Sequence, residues 1–258
     1  MERTIHLVAS PKRIISLVPS QTELLYDIGL EEEVIGITKF CVHPRSWFKS
    51  KPRVGGTKSY KFDIIRELQP DLIIGNKEEN DKEQIEALMQ DYPVWMSDIY
   101  TLEDALEMIT ALGTIVQKEE KAKSIRQQIE VAFQQYPIAF AEKPKKKVAY
   151  FIWRKPNMVA ANQTYINEML YRAGFDNVFQ DLERYPSIDD GLLKEKNPDL
   201  ILLSSEPFPF KEKHIQEFKE ICPSAVIRLV DGEVFSWYGS RLLHAIPYFR
   251  TLRKDINY

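Results

Sequence analysis

The feature that most constrains this chain is a duplication. Ile64-Ile65-Arg66-Glu67-Leu68-Gln69-Pro70-Asp71-Leu72-Ile73-Ile74 recurs as Leu192-Leu193-Lys194-Glu195-Lys196-Asn197-Pro198-Asp199-Leu200-Ile201-Leu202. In each copy a short helical run stops at proline, which cannot continue a helix, and a buried strand follows. A second echo pairs Leu25-Tyr26-Asp27-Ile28-Gly29 with Leu170-Tyr171-Arg172-Ala173-Gly174. Its copies lie farther apart than those of the first, so the first half carries extra residues between Gly29 and Pro70. The Pro- and Gly-containing stretch from Phe40 to Thr57 accounts for them.

Around these echoes, strand and helix signals alternate. Arg13 to Val18 is a β-branched, apolar run, and Pro19-Ser20-Gln21-Thr22-Glu23 follows it with Ser20 and Glu23 spaced as a capping box. The helix through Leu24, Leu25 and Ile28 stops at Gly29, and Val34 to Thr38 reads as the next strand. Alternation in both halves predicts an α/β fold of two Rossmann-like lobes with central, mainly parallel sheets. Leu102, Leu106, Ile109, Leu112, Ile115, Val116, Ile125, Ile129 and Phe133 keep near-helical spacing from Thr101 to about Tyr136. This predicts one long α-helix joining the lobes, with Thr101 and Asp104 capping its start and Gly113 as a place to bend. Pro137 and Pro144, set among lysines, then read as a solvated joint before the strand Val148 to Ile152. The expected organisation is an N-terminal lobe over 1–100, a connecting helix over 101–137 and a C-terminal lobe over 138–258.

Charge and hydropathy exclude several functions. Lys and Arg number 35 against 38 for Asp and Glu, so no global field draws the chain to nucleic acid. Apolar runs such as Leu72 to Ile74 fall far short of the ~20 residues of a membrane span. Met1 to Ser10 lacks the charged-then-apolar pattern of a secretory leader. The expected location is therefore periplasmic or cell-surface tethered if a leader has been removed, and cytoplasmic if this N-terminus is native. Cys41 and Cys222 are too few for a disulfide framework and leave the compartment open.

Ligands of open α/β sheets lie off the C-terminal ends of the strands. The loops there hold Ser20, Phe40 to Trp47, Asn76 to Asn80, Trp153-Arg154-Lys155-Pro156, Ser204 to Phe210, and Ser236-Trp237-Tyr238-Gly239-Ser240-Arg241. Trp47, Trp153 and Trp237 each have an arginine nearby. Flat aromatic faces suit a large planar or macrocyclic ligand, while Arg45, Arg154 and Arg241 suit its carboxylates or other anionic groups, with Arg184 a further candidate. Cys41 and His43 are the sharpest local pair, because a thiolate and an imidazole can bind a transition metal or act as nucleophile and base. His6, His214 and His244 complete no zinc-ligand spacing, so no metal site is expected. Glu78-Glu79 reads as a solvated turn or as a carboxylate pair facing the ligand. No nucleophile elbow, phosphate loop or dinucleotide motif is present.

From Arg13-Ile14-Ile15-Ser16-Leu17 through Pro70-Asp71-Leu72-Ile73 to Gly239-Ser240-Arg241, the chain resembles the helical-backbone class of ABC-transporter substrate-binding proteins, and within it the cobalamin-binding branch. The resemblance implies a binding protein without catalytic residues or cofactor. Its expected ligand is a cobalamin or another metal chelate, such as a ferric siderophore or haem, held between lobes that close little. The implied partners are the small-molecule ligand and a membrane permease with its ATPase, the chain itself being a monomer. By position, Trp153, Tyr185 and Arg241 are expected to face the ligand, with the loops at Phe40 and Asn76. The full set of candidate contacts is thus Phe40, Cys41, His43, Trp47, Asn76, Glu78, Glu79, Trp153, Arg154, Tyr185, Trp237, Tyr238 and Arg241. An exposed acid on each lobe is expected to dock on the permease. Asp63 takes that position in the first lobe, while the matching position in the second is Gly191, with Asp189 and Asp190 just before it. A second reading, from another class, is a cytoplasmic corrinoid- or metal-complex-handling enzyme that uses Cys41, His43 and the Glu78-Glu79 pair.

Overall fold

The computed structural model describes residues 7, 9–136 and 145–256. The joint around Pro137 and Pro144 lies outside them, as does most of Met1 to Ser10. The chain divides into two compact units. The first comprises Met1–Ile99, Glu103–Gln128 and Tyr238–Arg241, and the second Tyr100–Leu102, Ile129–Trp237 and Leu242–Tyr258.

In chain order the first half runs β1 (Ile14–Ser16), α1 (Pro19–Asp27), β2 (Val34–Ile37), α2 (Arg45–Ser50), α3 (Phe62–Leu68), β3 (Leu72–Asn76), α4 (Lys82–Asp91), β4 (Val94–Ser97), α5 (Leu102–Ile115) and α6 (Glu119–Gln135). The second runs β5 (Lys146–Trp153), β6 (Asn157–Val159), α7 (Tyr165–Arg172), β7 (Phe175–Asn177), β8 (Ser187–Ile188), α8 (Asp190–Lys196) and β9 (Leu200–Ser204). It continues through α9 (Glu212–Ile221), β10 (Val226–Val230), α10 (Gly232–Ser236), a short 3-10 helix (Ser240–His244) and α11 (Ala245–Asp255).

The first sheet has the order β2-β1-β3-β4, and all its pairings are parallel. β3 is buried along its whole length, as expected of a parallel strand covered on both faces. In the second sheet, β7, β9 and β10 arrange themselves around β5 as β2, β3 and β4 do around β1. The second half then adds an antiparallel pair, β6 and β8, beside the end of β5.

The duplication extends to atomic detail. α3 and α8 end in left-handed residues, Gln69 (φ 46) and Asn197 (φ 43), each just before the proline. The following aspartates act alike: Asp71 accepts the backbone N–H groups of Lys12 (2.7 Å) and Arg13 (2.9 Å), and Asp199 that of Lys147 (2.9 Å). Each thereby ties the start of its strand to the start of the neighbouring central strand.

Three local expectations need correction. The run from Thr101 to Tyr136 is two helices. The N–H of Lys118 bonds back to the Gly113 carbonyl (2.7 Å) and that of Gln117 to Thr114 (3.2 Å), with Gln117 left-handed at φ 54. This is a Schellman stop built without glycine at its left-handed position. The chain then reverses, so that a Cβ on Gly113 would stand 2.4 Å from that of Ala122, and Arg126 donates to the Thr110 hydroxyl (2.9 Å). α6 alone, at 17 residues, spans about 25 Å at 1.5 Å per residue. Ser20 and Glu23 form no capping box either, because α1 starts at Pro19 after Val18, and no side chain caps it. Finally, the inserted stretch is more than irregular loop: Val54, with Tyr60 just after the stretch, enters the core beside Ile15, Ile65 and Ile73.

Candidate functional site

Because its strands are all parallel, the first sheet gathers its C-terminal ends on one edge, where ligand-facing loops belong. After β2, Phe40 is 49% exposed and lies across Gly56, whose added Cβ would be 3.2 Å from the ring; the Lys39 ammonium is 5.0 Å from the ring centre. Cys41 turns the other way and is wholly buried. Its sulfur lies 3.1 Å from the Thr22 hydroxyl and 3.2 Å from that of Thr38, and burial raises its pKa, keeping the thiol neutral. It is neither a thiolate nucleophile nor an accessible ligand contact. His43 is half-buried, and its imidazole lies near enough to Glu23 to oppose the rise in that carboxyl's pKa. Among the described residues no group of three or more His, Cys, Asp or Glu could hold a metal ion.

Trp47 is a core residue: its ring meets Tyr26 edge-on at 5.4 Å, and its Nε1 donates to Glu31 (3.2 Å). Asn76 organises a turn instead of facing outward. Its Oδ1 accepts the N–H groups of Glu78 (2.9 Å) and Glu79 (3.1 Å), and its Nδ2 donates to Ser97 Oγ (3.0 Å). Glu78 and Glu79 stay half-buried on that turn, where Lys58 donates to the Glu78 carbonyl (2.7 Å).

Tyr238 and Arg241 come from the far end of the chain yet belong to the first unit. The Tyr238 phenol is buried, with Ser20 and Ser97 as hydroxyl neighbours, and burial raises its pKa well above the ordinary value. Arg241 forms a two-point pair with Glu23, Nε to Oε2 at 2.9 Å and Nη2 to Oε1 at 2.6 Å. Burial raises the Glu23 pKa, and the Arg241 charge opposes that rise. The expectation that Arg241 reaches a ligand from the second lobe is therefore corrected on two counts: it belongs to the first unit, and its guanidinium fork is engaged.

In the second unit, Trp153 ends β5 and is 39% exposed, meeting Phe208 edge-on at 5.7 Å. Arg154 beside it is committed within the fold. It donates to Glu217 Oε2 at 3.0 and 2.8 Å and to Asn157 Oδ1 at 3.0 Å, and the Glu217 carboxyl is held below its usual range by that bond. Trp237 is buried, its Nε1 donating to Glu206 (2.9 Å), which also accepts from Ser236. Tyr185 is half-buried, and the Arg184 guanidinium lies 5.8 Å from its ring and 5.5 Å from that of Tyr100.

The docking candidates divide similarly. Asp63 has a side chain 91% exposed, with Arg66 at 3.0 Å. Asp189 caps α8 by accepting from the Leu192 N–H (2.8 Å), whereas Asp190 lies exposed in its first turn, 3.4 Å from the Asn157 amide. Sequence reasoning placed Phe208 in a candidate loop, Ser204 to Phe210, without singling it out, and passed over Tyr100. Tyr100 is exposed just after β4, and the same rule about loops following strands would have found it.

The model of a family described as "Periplasmic binding protein" matches residues 14–221. A vitamin B12-binding protein of Vibrio campbellii is 28% identical, the match covering 94% of this chain and 91% of that one. Among solved structures, the periplasmic vitamin B12 binding protein BtuF of Vibrio cholerae superposes with a TM-score of 0.80 at 24% identity, covering 95% of this chain and 98% of that one. The periplasmic heme-binding protein RhuT from Roseiflexus sp. RS-1, in apo form, also gives 0.80, at 18% identity, with 96% and 99% covered.

Proposed function

Because the chain belongs to the periplasmic binding protein family, we propose that it is the substrate-binding component of an ABC-type uptake system for a corrinoid or an iron chelate. The observation that carries this reading is likeness over nearly the full chain to a vitamin B12-binding protein, with solved heme binders of the same fold beside it. Trp153 with Tyr185 on the second unit supplies flat apolar faces for a macrocycle. Asp63 and Asp190 are the exposed acids proposed to meet the permease, which works with its ATPase, and the binding protein acts as a monomer. The periplasm or the outer cell surface is the setting that suits this role. The enzyme alternative lacks support, since Cys41 is buried and neutral and the family consists of binding proteins.

A screen by absorbance and thermal shift with cobalamin, cobinamide, haem and ferric siderophores tests the proposal. One class should raise the melting temperature and perturb the chromophore at stoichiometric concentration, because a ligand bound only by the native state stabilises it. Silence from all four classes would overturn it.

A further inference from the structure

The stretch from Lys39 to Lys61 carries seven cations, Lys39, Arg45, Lys49, Lys51, Arg53, Lys58 and Lys61, and not one Asp or Glu, in a chain of net charge -3. None of the seven forms an ion pair with a described residue. Elsewhere several cations are matched: Lys77 with Asp98, Arg154 with Glu217, Arg172 with Glu168, Lys196 with Asp181 and Arg241 with Glu23. Within the stretch four of them, Lys39, Lys51, Arg53 and Lys58, contact carbonyls or rings instead. Lys51 donates to the Glu31 carbonyl and Lys58 to that of Glu78, while Arg53 lies 4.4 Å from the Phe48 ring centre.

The fold gathers these charges into one region of the first unit. The N–H of Lys39 bonds to Gly55 O, that of Gly56 to Ser59 O and that of Lys61 to Val54 O, so Lys39, Arg53, Lys58 and Lys61 come from adjacent backbone segments beside β2. α2 presents Arg45 and Lys49 to solvent, and the exposed Phe40 ring lies against Gly56 within the same region. Uncompensated cations repel one another, a cost that an external anionic surface would relieve. Spread over a short helix and a hairpin, they suit a field of headgroups better than a single acidic side chain, and a neighbouring exposed aromatic adds apolar contact at an interface. We propose that the region from Lys39 to Lys61 is a docking surface for anionic phospholipid headgroups, which would hold this binding protein against the membrane.

The test is cosedimentation of the full chain with phosphatidylcholine vesicles, with and without phosphatidylglycerol. Binding should require phosphatidylglycerol and fall steeply as salt shortens the Debye length below about 8 Å. The double variant Lys49→Glu/Lys61→Glu should weaken that binding by about tenfold or more. Lys123→Glu/Lys213→Glu, the same charge change on α6 and α9, should leave it within about twofold, the range expected of remote surface charge. Melting curves verify that both variants fold. Equal binding to neutral vesicles, no binding to either, or equal losses in the two variants would overturn the proposal.

Discussion

Arg241 closes a two-point ion pair on Glu23 across 218 residues of sequence, with side chains only 13% and 15% exposed. The pair fastens a segment from the chain's far end to α1, where Tyr238 is also buried. Arg241→Ala should leave the Glu23 carboxylate in a poorly solvated site and cost about 3 kcal/mol, because breaking a buried pair costs more than the pair contributes. Glu23→Gln, which keeps an acceptor, should cost less. Urea unfolding without ligand measures both, and unchanged stability in Arg241→Ala would refute a structural role.

The paired aspartates of the duplication make a second prediction. Asp71 receives two backbone N–H groups and Asp199 one. Charge-assisted bonds each contribute about 1.5–3 kcal/mol at most, and less where water competes. Asp71→Ala should therefore destabilise by about 2 kcal/mol and Asp199→Ala by roughly half as much. Denaturant midpoints giving the reverse order would contradict the equivalence drawn between the two halves.

Glu206 predicts a pH dependence. Burial raises its pKa above the ordinary value of 4.5, with Glu233 and Asp231 adding to the rise and the bonds from Ser236 and Trp237 opposing it. As pH climbs past 4.5, the unfolded chain loses this proton before the folded chain does. Folding then binds a proton, and the site's contribution to stability falls until the folded-state pKa is passed. Wild type should accordingly lose stability relative to Glu206→Gln across that interval, leaving the variant the more stable at neutral pH. Parallel melting curves from pH 4 to 8 check this, and a pH-independent difference would refute it.

Asp63 separates docking from folding. Among the described residues its exposed side chain pairs with a surface arginine at i+3, an interaction of about 0.5 kcal/mol or less. Asp63→Lys should keep the melting temperature and ligand affinity while weakening capture by the reconstituted permease, since a rim charge acts on association. Loss of ligand affinity instead would move Asp63 into the binding site.

Much of this fold was legible because duplication leaves the same residues at the same joints. Gly29 and Gly174 mark helix ends, and the two Pro-Asp pairs mark strand starts. The break after Ile115 was hidden because Gln117, an ordinary residue, takes the left-handed position that glycine would have advertised. The site was harder to read. Loop position nominated Phe40 and Trp153 as ligand contacts, and both are exposed, but it could not reveal that Arg154 and Arg241 are engaged by Glu217 and Glu23, acids distant in sequence. Nor could it show that Trp47 and Trp237 turn inward to Glu31 and Glu206. Such partners are set by packing, which leaves no local spacing to recognise.

In the proposed function a corrinoid or iron chelate rests against Trp153. Isothermal titration of the ligand class found by screening, into wild type and Trp153→Ala, tests it most directly. Binding should be saturable at one site and weaken by about thirtyfold in the variant, equivalent to ~2 kcal/mol for an aromatic anchor, with little change in the ligand-free melting temperature because the indole is 39% exposed. Unchanged affinity in a variant that has lost thermal stability would contradict it, and would return Trp153 to the core.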